Sequence, residues 1–175
     1  MIPELGIVEG FFGIPWSWEE RRDTVSFLAP HGYRFYLYAP KADPYLRRRW
    51  QEPHPAADRE ALLAFRDHCR AAGVRFGIGL SPFELHLRDD WQAPLAARLA
   101  TLAELGADDL ALLFDDMRGD VPQLAARQAA MVGFAAERSG AGRILLCPSY
   151  YSDDPILDRA FGPRPETYLA DLGRL

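Results

Sequence analysis

Asparagine is absent from this 175-residue chain, and of its 20 basic residues only Lys41 is a lysine. The drift toward arginine, with abundant alanine, is compositional, so the arginine excess carries little functional information. The one lysine that remains is more telling. Cysteine is scarce: Cys69 and Cys147 permit at most one disulfide, and both sit in apolar contexts. Buried free thiols in a reducing, cytoplasmic compartment are expected. Long apolar runs are missing. None reaches the ~18 residues of a membrane span, and Met1-Ile2-Pro3-Glu4 lacks the basic region of a signal peptide. Positive charge is not in excess either. A net charge of -5 and a pI near 5.4 argue against nucleic-acid and polybasic membrane partners. Gly6, Gly10 and Gly13 do not form G-x-G-x-x-G, which removes support for a dinucleotide-binding sheet. His31, His54, His68 and His86 show neither metal-ligand spacing nor a Ser/His/Asp pattern.

What is present is a globular composition, 49% hydrophobic, suited to a single domain over residues 1–175. Short apolar runs recur at Leu5–Phe12, Phe35–Ala39, Val74–Leu80, Leu110–Phe114 and Ile144–Cys147. Continuous runs of this kind read as parallel strands buried on both faces. Helical stretches lie between them. Ser17-Trp18-Glu19-Glu20 is a capping box that starts the first, which stops near His31-Gly32. The others are expected over 55–72, 91–105 and 121–138, closed by Gly73, Gly106 and Gly140, with a last helix from about Pro165 to the end. The pattern is β-α repeated five times. Length alone favours an open doubly wound sheet over a (β/α)8 barrel, which needs eight units and ~250 residues.

In both folds functional groups collect at the C-terminal ends of strands. Here those ends carry Glu9-Gly10, Pro40-Lys41, Ser81-Pro82, Asp115-Asp116 and Ser149-Tyr150-Tyr151. Asp115 and Asp116 are central. Adjacent carboxylates push their pKa values apart, which suits a pair of acid–base roles. Helix capping and a two-aspartate metal site are the competing readings. Lys41 is either a solvated charge or a ligand contact. Tyr151 is either a packed ring or a phenol donating into a pocket. Gly10 serves either a tight turn or close approach of a ligand to backbone. Trp16, Trp18 and Trp50 read as packing groups.

These segments carry a resemblance. Val8-Glu9-Gly10-Phe11-Phe12-Gly13-Ile14-Pro15-Trp16, Tyr36-Leu37-Tyr38-Ala39-Pro40-Lys41, Leu112-Leu113-Phe114-Asp115-Asp116 and Cys147-Pro148-Ser149-Tyr150-Tyr151 resemble, in order, four motifs of glycoside hydrolase family 84. These are β-N-acetylglucosaminidases that include O-GlcNAc hydrolases and bacterial relatives once called hyaluronidases. The resemblance implies a (β/α)8 TIM barrel of which about five N-terminal βα units are present, overriding the length argument. It also implies a retaining, substrate-assisted hydrolysis of terminal β-linked GlcNAc through an oxazoline, without a protein nucleophile, cofactor or metal. By resemblance Asp115 orients the acetamido N–H and Asp116 is the acid and then the base. Tyr151 holds the acetamido group, and Gly10 and Lys41 bind sugar hydroxyls. The implied partner is a GlcNAc-bearing glycan or glycoprotein.

The sequence departs from the family's pattern. Phe12 stands where tyrosine is common, Ile14 where arginine is common, and Tyr150 where an acid often precedes the tyrosine. The family's later strands supply a tryptophan, asparagines and an aspartate to the sugar, and a chain without asparagine cannot supply those asparagines. The expectation is therefore the N-terminal part of a catalytic barrel, completed by a further segment or chain. The alternative is a non-catalytic or partner-dependent carbohydrate-binding relict.

Overall fold

The structure, a computed structural model, describes residues 3–174. Five parallel strands form one sheet: β1 (Leu5–Glu9), β2 (Tyr33–Tyr38), β3 (Arg75–Leu80), β4 (Asp109–Leu113) and β5 (Arg143–Cys147). Helices α1 (Trp18–Leu28), α2 (Ala56–Ala71), α3 (Gln92–Ala103) and α4 (Leu124–Arg138) connect them, and α5 (Pro155–Phe161) and α6 (Tyr168–Leu172) follow β5. The strand order is β1-β2-β3-β4-β5, each pair parallel. A doubly wound sheet reverses direction at a switch point; this one never does. The five units instead form an arc of a (β/α)8 barrel, so the open sheet favoured by length is not the fold.

The local signals explain most boundaries. Ser17 Oγ accepts from Glu20 N at 3.2 Å while Glu20 Oε2 accepts from Ser17 N at 2.7 Å, the reciprocal capping box expected. Gly73 (φ 70°) and Gly106 (φ 63°) take the left-handed turn that a helix end requires and a Cβ disfavours. Three expectations differ. β1 ends at Glu9 rather than Phe12, α4 begins at Leu124 rather than Val121, and the helix expected from about Pro165 to the end is the short α6 alone, preceded by α5 where no helix was expected.

Alternation sorts the strand residues onto two faces. Ile7, Tyr36, Phe76, Ile78, Leu80, Leu110, Leu112 and Phe114 pack with Val25, Leu62, Phe65, Leu95, Leu99 and Met131 of the helices. The opposite, concave face carries Val8, Phe35, Leu37, Leu113 and Leu145, and it is floored by glycines on β3. A Cβ at Gly79 would lie 2.5 Å from Ala39 Cβ, so only glycine lets the neighbouring strand's side chains lie across it. At the N-terminal end of this face Glu4 pairs with Arg75 and Arg143, and Arg75 also reaches Asp109. The residues of the four motifs lie toward its other end.

Candidate active site

Asp115 follows Leu113 onto the concave face by simple alternation. Asp116 should then point to the helices, but its backbone is left-handed, with φ 58°. That conformation costs an L-residue of order 1 kcal/mol, and it returns the second carboxylate to the side of the first. Lys41 Nζ lies between them. It donates to Asp115 Oδ2 and sits 3.3 Å from Asp116 Oδ2. Arg47 Nη2 also reaches Asp116 Oδ2, at 3.4 Å. Asp115 Oδ1 is buried with no hydrogen-bond partner. The Phe12 ring lies 5.6 Å from Lys41 Nζ and 5.4 Å from the Arg47 guanidinium, within cation–π range of both.

Two buried networks fix these groups. The loop after β2 is held at Asp43, which accepts from Tyr38 Oη at 3.1 Å, His54 Nε2 at 3.0 Å and Tyr45 N at 2.9 Å. Ser81 N donates to Leu46 O at 2.8 Å and Arg98 Nη2 to Tyr45 O at 2.9 Å. Arg98 is buried without a carboxylate in contact, and that burial pushes its guanidinium down to about 10. It can only donate, so its 3.4 Å contact with His54 Nδ1 makes that nitrogen an acceptor and leaves Nε2 to donate to Asp43. Below the aspartates, Ser149 Oγ donates to Phe114 O at 2.9 Å and accepts from Gln128 Nε2 at 2.8 Å, while Tyr168 Oη donates to Gln128 Oε1 at 2.5 Å. His86 Nε2 caps the far side of the loop on Arg118 O at 2.5 Å.

The structure thus brings Asp115, Asp116 and Lys41 into direct contact. Tyr151 lies in the segment after β5, half exposed. Burial raises its phenol first, and the negative charges of Asp116 and Asp115 raise it further, so it lies within electrostatic reach of the aspartates without a hydrogen bond to them. Gly10 ends β1. Its φ is not positive, and a Cβ there would meet only Val8 Cγ1 at an ordinary 3.6 Å. Neither turn geometry nor packing demands glycine, whereas Gly13 (φ 115°) takes the turn. Cys147 is free, half-buried and raised to about 11, by burial first and then by Asp115; Cys69 is free and buried. Tyr150, one of the departures from the family pattern, faces away from the site. It is buried, and its hydroxyl donates to Gly162 O at 2.7 Å. Trp50 is buried, and Trp16 and Trp18 pack against the core.

Arg47 and Phe12 were not singled out as site groups by the sequence. Arg47 is one of three consecutive arginines in an arginine-rich chain, so its residue type carries no signal; its place six residues after Lys41 on one loop is the usable clue. Among the described residues no cluster of three His, Cys, Asp or Glu side chains is placed to hold a metal ion. The space between the two aspartates holds the Lys41 ammonium.

Comparison with known proteins agrees with this fold. The family profile described as NAGidase, beta-N-acetylglucosaminidase, matches residues 5–173. The Protein O-GlcNAcases of Rattus norvegicus and Mus musculus are each 32% identical over 114 residues, covering 64% of this chain and 12% of theirs. An O-GlcNAc hydrolase mutant from Thermobaculum terrenum superposes with a TM-score of 0.82 at 26% identity, over 98% of this chain and 38% of that one. CpGH84B superposes at 0.81 and 27% identity, over 98% and 31%. The chain therefore spans about an eighth of the curated relatives and about a third of the solved ones. With a profile match over nearly its whole length, the chain belongs to the beta-N-acetylglucosaminidase family.

Proposed function

We propose that this chain carries the acid–base half of a retaining β-N-acetylglucosaminidase acting on terminal β-linked GlcNAc of a glycan or glycoprotein. The observation that carries the reading is the buried, unpartnered Asp115 Oδ1 beside Asp116, with Lys41 between the two carboxylates. A buried acceptor without a donor costs about 1–3 kcal/mol, and the N–H of a 2-acetamido group is a donor of suitable chemistry. Held by Asp115, the acetamido oxygen attacks the anomeric carbon. The C1–O bond to the leaving group breaks, and Asp116 gives its proton to the departing oxygen. Water then opens the oxazoline at C1, Asp116 takes back a proton, and the β configuration is retained. Tyr151 holds the acetamido group. The Lys41 ammonium has three protons, one of them donated to Asp115, which leaves donors available to a sugar hydroxyl. The Gly10 backbone lets the sugar approach β1. The two free cysteines suit a reducing cytoplasm.

A second reading is favoured by the open concave face, where Val8 is 56% exposed. In it the chain binds sugar or turns it over only when further polypeptide, from this or another chain, covers that face.

The test is turnover of aryl β-N-acetylglucosaminides of graded leaving-group ability. Asp116→Asn is expected to slow poor leaving groups roughly 100-fold or more and good ones much less. Asp115→Asn is expected to slow all of them alike, because it weakens the attack and not the departure. Equal losses across leaving groups in Asp116→Asn overturn the role assigned to it. A folded wild-type chain without turnover supports the second reading over the first.

A further inference from the structure

Lys41 donates to Asp115 and lies 3.3 Å from Asp116 without a hydrogen bond to it, so its hold on the pair is centred on Asp115. Arg47 acts on the other member. Its Nη2 lies 3.4 Å from Asp116 Oδ2, and among the described residues it makes no contact with Asp115. We propose that Arg47 is a positioning residue for Asp116: it holds the second carboxylate on the concave side and so divides one pair of like acids into two roles.

Three observations converge on this. Asp116 has the strained left-handed backbone, which persists only where its surroundings determine it. The Arg47 guanidinium joins Lys41 in reaching Asp116 from the loop after β2, and that loop is pinned at Tyr45 O and Leu46 O, on the residues just before Arg47. The guanidinium is also packed under the Phe12 ring, and its Nε is buried without an acceptor. A buried donor without a partner is a cost, which the contact with Asp116 offsets.

The role rests on the reading of Asp116 as acid and base, but the decisive measurement does not require turnover. In the folded chain with carboxyl-labelled aspartate, the Asp116 resonance is assigned by its loss in Asp116→Asn and followed against pH. Arg47→Gln is expected to move its titration midpoint to higher pH, and the Asp115 midpoint by less. Arg47→Lys should restore part of the shift, and Arg48→Gln, on the exposed neighbour, should leave both midpoints in place. An Asp116 midpoint that stays put in Arg47→Gln, or moves equally in Arg48→Gln, overturns the proposal. Should Arg47→Gln not fold, the reciprocal reading decides: the Arg47 guanidinium protons exchange faster in Asp116→Asn than in wild type, or the proposal fails. With an aryl substrate that is turned over, Arg47→Gln lowers kcat for poor leaving groups on the order of 10-fold and leaves KM nearly unchanged. Absent turnover in the wild type speaks against the enzymatic reading alone, since the carboxyl titration still decides the role of Arg47.

Discussion

Glu9 and Gly10 are neighbours in the motif that ends β1, yet they serve opposite sides of the sheet. Glu9 is fully buried on the helix side. It accepts Arg21 Nη2 at 2.7 Å, Arg21 Nε at 2.9 Å and Tyr36 Oη at 2.6 Å. The Tyr36 phenol is raised well above its ordinary value, by burial first and by Glu9 second. Arg21 in turn stacks on Trp18 and Tyr38, so the pair ties α1 to β1 and β2. Removing one partner of a buried ion pair strands the other charge, at about 3–5 kcal/mol. Glu9→Gln is therefore expected to lower stability by that amount in urea unfolding, and the double change Glu9→Met with Arg21→Met by clearly less. A double variant as unstable as the single one would mean that the hydrogen bonds, rather than the stranded charge, set the cost. The strand-end acids were legible in the sequence as a class, because polar residues closed every apolar run. Their separation into structural Glu9 and site Asp115 follows from alternation alone. Asp116 does not, because its orientation depends on one positive φ that no residue type announces.

The loop after β4 is an element that other elements hold in place. His86, from the turn after β3, donates to Arg118 O and packs edge-on against Phe114. Its Nδ1 is buried without a partner, and burial lowers its pKa from 6.5, with Arg127 nearby in the same direction and the Arg118 carbonyl and Glu84 opposing. The folded chain thus binds fewer protons at His86 than the unfolded chain as pH falls below 6.5, so its stabilising contribution is present above that pH and is lost as pH falls toward the lowered value. Between pH 7 and pH 5 the wild type should lose more Tm than His86→Gln, which keeps a donor for Arg118 O and cannot titrate; parallel losses would refute the linkage. On the other side of the loop, Tyr168→Phe leaves Gln128 Oε1 without its donor, at about 1–3 kcal/mol, readable as a lower urea midpoint with an unchanged slope. Capping explains which elements were legible. Ser17 with Glu20 and the glycines at 73 and 106 mark their helix ends chemically. α4 starts from Gln123 in a left-handed conformation with no side-chain cap, so nothing marked its start. α5 does carry Asp154 capping Ile156 N at 2.9 Å and Pro155 in its first turn, but its seven residues are too few for a hydrophobic period.

At the scale of the molecule, five βα units leave a face that a closed barrel would bury. Val8 is 56% and Leu145 37% exposed. They lie on the concave side of β1 and β5, whose outer edges have no strand partner among the described residues. Exposed apolar groups beside unpaired strand edges are a template for association. Below them Glu4, Arg75, Asp109 and Arg143 satisfy one another, so the charged end offers no net attraction and the apolar band between it and the aspartates is the adhesive part. The isolated chain is expected to bind a hydrophobic dye and to sediment with a concentration-dependent mass. Val8→Lys with Leu145→Lys should abolish both. Lysine keeps an aliphatic stem over the same surface, so although Leu145 is only 37% exposed the pair should change stability by no more than about 1 kcal/mol per site. The same variant separates two accounts of any turnover. If the chain acts alone, the substitutions, placed away from the aspartates along the strands, leave kcat for an aryl substrate intact. If activity requires a covered concave face, turnover falls with the loss of association while Tm and the Asp116 carboxyl titration stay as in the wild type.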